Sequence, residues 1–159
     1  MLAPPHSGKL PREEVVMADV FVVGVDESDH AIYVLDKALE EAERFGAELH
    51  VVHVAHLPTA YFMAFGAEPL NTAEIMEKAR QALWARLEPH LSRRGVVVEK
   101  VDLEGYPPDT LVDYTKNVTA KRLIIGTRGR GEVAALVLGS TSHRALHLAR
   151  CDVLVVKPV

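Results

Sequence analysis

A single cysteine, Cys151, stands in 159 residues, which excludes an internal disulfide and fits a reducing compartment. No apolar run approaches the roughly 18–20 residues that a membrane span needs. Pro4, Pro5, His6, Ser7 and Gly8 break up the opening stretch where a secretory signal would carry a continuous apolar segment. A cytoplasmic protein with no membrane partner is expected. A basic excess is missing too: 18 Lys and Arg face 22 Asp and Glu, for a net charge of −4. Such a chain has no positive field to condense on a nucleic-acid backbone, so no nucleic-acid partner is expected. Internal repeats are absent, and 48% hydrophobic with 25% charged residues argues against disorder. The length suits one domain with a core that needs no disulfide or metal staple.

The Pro-rich, polar stretch 1–18 reads as a mobile extension, with Met17 as an alternative start, and 19–159 as the folded domain. Val20 to Val25 is a short apolar run rich in β-branched residues, the pattern of a strand buried on both faces. Ser28 and Asp29 are candidate caps for a helix whose stripe is Ala31, Val34, Leu35, Ala38, Ala42 and Phe45, stopped by Gly46. Leu49 to Ala55 is a second strand, and residues 56–71 an irregular excursion. Thr72 is a candidate cap for a helix with Met76, Ala79, Leu83 and Leu87 inward, which Pro89 should kink or end. Val96 to Val101, Leu123 to Ile125 and Val153 to Val156 are further strands. Between them lie a helix opened by Pro107 and Pro108 and another introduced by Gly139 and Ser140, the latter with Ala145, Leu146 and Ala149 inward. Alternating apolar strands and helices imply one doubly wound five-stranded parallel sheet, an α/β sandwich of Rossmann-like type. Ligands of such sheets sit outside the strands' carboxyl ends, where the winding reverses. Asp26 and Gly126 mark the two strand ends with suitable chemistry.

Chemistry concentrates in Gly126-Thr127-Arg128-Gly129-Arg130-Gly131 and in Gly139-Ser140-Thr141-Ser142. Gly126 and Gly129 permit a sharp turn and leave amides unobstructed. Gly139-Ser140 opens a helix, where unpaired amides and the positive dipole end favour an anion. The hydroxyls of Ser140 and Ser142 can donate to phosphate oxygens. Lys121, Arg122, Arg128, Arg130, Arg144 and Arg150 face Glu132 as the one acid between residues 121 and 150, the charge pattern of a polyanion site. On the glycines alone a tight turn before a capped helix explains the segment equally well. Neither a Walker A loop nor the dinucleotide Gly-x-Gly-x-x-Gly is present.

The ungapped pattern Gly126-x2-Gly129-x9-Gly139-Ser140 resembles the nucleotide-binding signature of the universal stress protein family. Val25-Asp26-x-Ser28, Val52-His53-Val54, Gly105-x-Pro107 and the closing Ala149 to Val156 segment follow the family order, so that the likeness covers about residues 19 to 159. The resemblance implies an adenine nucleotide alpha hydrolase-like fold and an ATP site. In it Asp26 holds the base or ribose beside the backbone of Gly24 and Val25, while Val54 covers the adenine near Ile125. Gly126, Gly129, Gly139, Ser140, Thr141 and Ser142 take the phosphates, helped by Arg130. It further implies Mg²⁺ or Mn²⁺ bound through the phosphates and a homodimer formed through Val153 to Val156. Ala31, Asp152 and Thr127-Arg128 depart from the family's usual residues without removing a phosphate donor. The function so implied is a nucleotide-dependent stress-response regulator that at most hydrolyses ATP slowly. No catalytic residue is assigned, because phosphoryl transfer needs a positioned nucleophile and a metal-holding acid that the loop does not supply. AMP or cyclic AMP in the same cleft, and a structural dimer without nucleotide, are the alternatives.

Other candidates read more simply. Asp26 without the glycine motif is a turn or helix cap. Strand alternation points His53 away from His50 and His56, so these three should not share a metal. His143 and His147 lie four apart on a helix without a third ligand. Cys151 reads as a small buried residue rather than a nucleophile. Tyr61, Phe62 and Phe65 are equally a lid, a partner surface or core-facing side chains.

Overall fold

The computed structural model describes residues 18–56, 72–92, 95–127 and 138–157. Among the described residues five strands alternate with four helices: β1 (Val20–Val25), α1 (Ala31–Phe45), β2 (Glu48–Ala55), α2 (Thr72–Leu91), β3 (Val98–Glu104), α3 (Pro107–Asn117), β4 (Arg122–Gly126), α4 (Ser140–Leu148) and β5 (Asp152–Val156). All pairings are parallel, in the order β3-β2-β1-β4-β5. The chain winds outward from β1 to β3, then crosses back to β4 and β5. The winding therefore reverses between β1 and β4, which pair through Phe21 with Arg122, Val22 with Leu123 and Val23 with Ile124.

Two apolar layers cover the sheet. On one face Phe21, Val23, Leu49 and Val51 pack against Val34, Leu35, Ala38 and Leu39 of α1 and Leu83 and Leu87 of α2. On the other, Val22, Val52, Leu123 and Ile125 pack against Leu111 and Val112 of α3 and Ala145 of α4. Because strand side chains alternate, neighbours such as Val22 and Val23 serve opposite layers, which is why β1 and β4 are apolar throughout. A fully buried leucine such as Leu35 or Leu87 contributes roughly 1.5–3 kcal/mol of transfer free energy. Gly46 ends α1 in the left-handed conformation (φ 62°), its amide region bonding back to Ala42 and Glu43. Gly24 answers a different need: a Cβ there would stand 2.9 Å from Leu111 Cδ1, so its absence lets α3 settle on β1.

Several boundaries differ from the sequence reading. The α1 N-cap is His30, with no side-chain cap. Ser28 instead gives its hydroxyl to Asp26, so neither Ser28 nor Asp29 caps the helix. Thr72 is already helical rather than a cap. Pro89 lies within the last turn of α2, which ends two residues later at Leu91, so the proline terminates the helix without breaking its body. Strand β3 runs from Val98 to Glu104 rather than from Val96 to Val101, because its edge position tolerates the polar Asp102 and Glu104. Phe45 and Leu146, expected inward, are 56% and 52% exposed. Phe45 ends α1 over the amino-terminal ends of β1 and β4, tilted against Phe21 and under the Arg122 guanidinium.

Candidate functional site

At the carboxyl ends of β1 and β4 the diverging helices leave a cleft of about 280 Å³. Gly24, Val25, Asp26, Val54, Ile125, Gly126, Gly139, Ser140, Thr141 and Ser142, all singled out from the sequence, line it. Gly129 and Arg130 lie outside the described residues, as do Arg128, Tyr61, Phe62 and Phe65. One wall is apolar, built from Val54, Ile125, Leu111 and Pro108; the opposite end is polar, built from Asp26 and the start of α4. An apolar slot meeting convergent polar groups is the ordinary form of a small-molecule site.

The sheet ends fix each polar group. Asp26 follows β1, and its Oδ1 accepts from the Ser28 amide at 3.1 Å and the Ser28 hydroxyl at 2.5 Å, closing a tight turn into α1. The turn role and the cleft position coexist in this one carboxylate. Arg86 of α2 donates to the Ser28 carbonyl at 2.8 Å, which secures the loop from behind. At the other strand the Thr127 amide bonds the Val156 carbonyl, and the Thr127 carbonyl accepts from the Gly139 amide at 2.7 Å. The Gly139 amide is therefore engaged within the protein, and Gly139 shapes the cradle without donating to it. Ser142 is likewise committed through its hydroxyl, which donates to the Gly126 carbonyl at 2.5 Å. The sequence reading turned this hydroxyl toward phosphate; in the structure it bonds the Gly126 carbonyl, and Ser142 lines the cleft. Helix geometry leaves the amides of Thr141 and Ser142 without an intrahelical carbonyl, and the N-cap Gly139 makes no side-chain cap bond. Those amides and the dipole they carry are the anion-attracting part of the cleft.

Of the basic residues read from 121–150, Arg122 and Arg144 are paired with acids and are not among the residues that line the cleft. Arg122 starts β4, at the end of the sheet away from the cleft, and pairs with Glu41 at 2.6 Å and Asp152 at 3.6 Å. Arg144 pairs with Asp109 across α3 and α4.

Residues the sequence did not mark also border the cleft. Tyr106, half exposed, meets His56 edge-on at 5.9 Å at the mouth. Glu27 lines the cleft and reaches back to His53 Nε2 at 3.4 Å. His53 is 2% exposed, and its Nδ1 meets Asp102 at 3.1 Å, so both ring nitrogens face carboxylates. Burial opposes the imidazolium, but hydrogen bonds and charge from Glu27 and Asp102 outweigh it and raise the His53 pKa. Asp102 is held below the usual carboxylate range: burial pushes it up, yet bonds from His53, Arg80 and Trp84 prevail. The Val-His-Val pattern was the available signal for this histidine; its partners come from distant segments. Burial raises the Cys151 thiol, in keeping with an unreactive small residue.

A parallel sheet in this order, with a cleft at its reversal point and a helix N-terminus bordering it, defines a doubly wound α/β sandwich of Rossmann-like type. The model of the universal stress protein family matches residues 17–157, and the chain belongs to that family. A universal stress protein of Thermus aquaticus is 32% identical over 142 residues, covering 89% of this chain and all of that one. One of Mycobacterium tuberculosis is 33% identical over 142 residues, but the chain spans only 44% of its length. The structure of a universal stress protein from Archaeoglobus fulgidus superposes with a TM-score of 0.66 at 30% identity, covering 87% of this chain and 98% of that one. Another from the same organism, in complex with dAMP, gives 0.65 at 24% identity, with 87% and 98% covered. One in complex with cAMP gives 0.63 at 23%, with 89% and 98% covered.

Proposed function

We propose that the chain binds ATP in the cleft between β1 and β4 and acts as a nucleotide-dependent regulator or sensor of the stress response. The observation that carries this reading is the opening of α4: its N-terminus, where a helix dipole favours an anion, borders a cleft that the apolar Val54, Ile125, Leu111 and Pro108 also line. The base would lie between Val54 and Ile125, with Asp26 toward the ribose and the phosphates along Gly126 to Ser142. Mg²⁺ or Mn²⁺ would be held through the phosphates. Gly129 and Arg130 would complete the phosphate end. On this reading occupancy rather than turnover is the signal, with at most slow hydrolysis of ATP.

A second reading is favoured by the complexes of two relatives with dAMP and cAMP: a monophosphate or cyclic nucleotide in the same cleft. Isothermal titration with ATP, AMP and cyclic AMP separates the two. ATP binding tighter than either rival, with all signals lost in Gly139→Val, supports the first reading. Tighter AMP or cyclic AMP supports the second, and no signal from any nucleotide defeats both.

The fold also leaves β5 as an edge strand with Val153, Leu154 and Val155 only partly buried, beside exposed Leu146 and Leu148 on α4. An uncovered apolar edge of this kind is a pairing surface. A homodimer formed through Val153 to Val156 satisfies it. No helix among the described residues is long and apolar enough to cross a membrane. One cysteine among 159 residues supports a cytoplasmic setting.

A further inference from the structure

Far from the cleft, at the amino-terminal ends of β2 and β3, three side chains converge on the face that α3 covers. Glu48 and His50 lie two apart on β2 and so share a face, and Glu99 is the register partner of His50 on β3. His50 Nε2 stands 3.3 Å from Glu48 Oε1 and 3.3 Å from Glu99 Oε2, and the three donor atoms all lie within 4.8 Å of one another. We propose that Glu48, His50 and Glu99 bind a divalent first-row transition metal, Zn²⁺ being the best match.

Spacing, donor type and charge agree. Ligands at about 2.0–2.1 Å from zinc, separated by the tetrahedral angle, stand about 3.3–3.4 Å apart, which is the separation of the imidazole nitrogen from each carboxylate oxygen. One imidazole with two carboxylates is a donor set that zinc accepts, with a fourth position left to water. The imidazole is not a loose surface group: His50 is 6% exposed, and its Nδ1 lies 2.8 Å from the Tyr114 hydroxyl of α3. With Nδ1–H donating to that oxygen, the Nε2 lone pair is aimed between the two carboxylates. An outer partner of this kind is what orients a ligating histidine. Among the described residues no lysine or arginine pairs with either glutamate, so two negative charges meet on one imidazole. A divalent cation neutralises them and clamps β2 to β3. The competing arrangement places a proton on Nε2 and no metal at all.

Equilibrium dialysis and calorimetry of the nucleotide-free full chain with Zn²⁺, in phosphate-free buffer, decide between them. One Zn²⁺ per chain is expected, with affinity falling at least tenfold in Glu99→Gln and in Glu48→Gln. Both are surface changes whose folding is checked by circular dichroism. A zinc-induced rise in melting temperature, absent from Glu99→Gln, is expected in parallel, and His143→Gln should leave binding unchanged. No zinc binding overturns the proposal. So does binding that both glutamine variants retain, which would place the metal on other histidines. Either result leaves the nucleotide cleft untouched.

Discussion

The buried Ser142 hydroxyl donates to the carbonyl of Gly126 at 2.5 Å, tying the first turn of α4 to the last residue of β4. That bond holds the helix amides over the strand end. Ser142→Ala leaves the Gly126 carbonyl without this donor and should cost about 1 kcal/mol of stability in urea unfolding. It should also weaken ATP binding, since the cradle loses its anchor. Unchanged stability would show that water or a neighbouring group replaces the hydroxyl.

His53 links Glu27 at the cleft to Asp102 on β3, one ring nitrogen toward each carboxylate. Its raised pKa means that the bridge stabilises the fold fully below the ordinary imidazole value of about 6.5 and is lost as pH rises through the higher folded value. Asp102, being lowered, contributes above the ordinary carboxylate value and loses its contribution as pH falls through the folded one. The stability gap between the protein and Glu27→Gln should therefore be widest from about pH 5 to 6.5 and close on the alkaline side. An NMR titration should place the His53 midpoint above 6.5, and Asp102→Asn should bring it down. A midpoint at or below 6.5 would contradict the bridge.

Much of this was legible in the residues, for identifiable reasons. Strands β1 and β4 are buried on both faces, so their apolar runs stand out, and Gly46 marks a helix end by chemistry alone. The cleft residues were found because Asp26 and Gly139-Ser140 terminate or open elements adjoining the reversal point. Failures came where an outcome depends on tertiary partners. Ser28 could cap α1 or serve Asp26, and only the folded turn shows which. The bond from Ser142 to the Gly126 carbonyl needed the folded strand end beside it to be seen. Arg122 and Arg144 are near Gly126 in sequence, yet Glu41 and Asp109 hold them elsewhere. The grouping of Glu48, His50 and Glu99 required the β2–β3 register.

The β5 edge gives a separate expectation. Val155→Lys places a charge on the partly buried edge strand β5 without touching the cleft lining. Light scattering after gel filtration should show the unaltered chain as a dimer and the variant as a monomer of unchanged circular dichroism. A variant that stays dimeric would move the interface away from Val153 to Val156.

The most direct measurement is a ¹⁵N-resolved NMR titration of the nucleotide-free protein with ATP. The amides of Ser140, Thr141 and Ser142 should shift first and furthest, together with those of Gly24 to Asp26, while those of Glu48 and Glu99 stay still. Saturating ATP that leaves the α4 amides unmoved, or that moves a different surface, would contradict a phosphate cradle at the start of that helix.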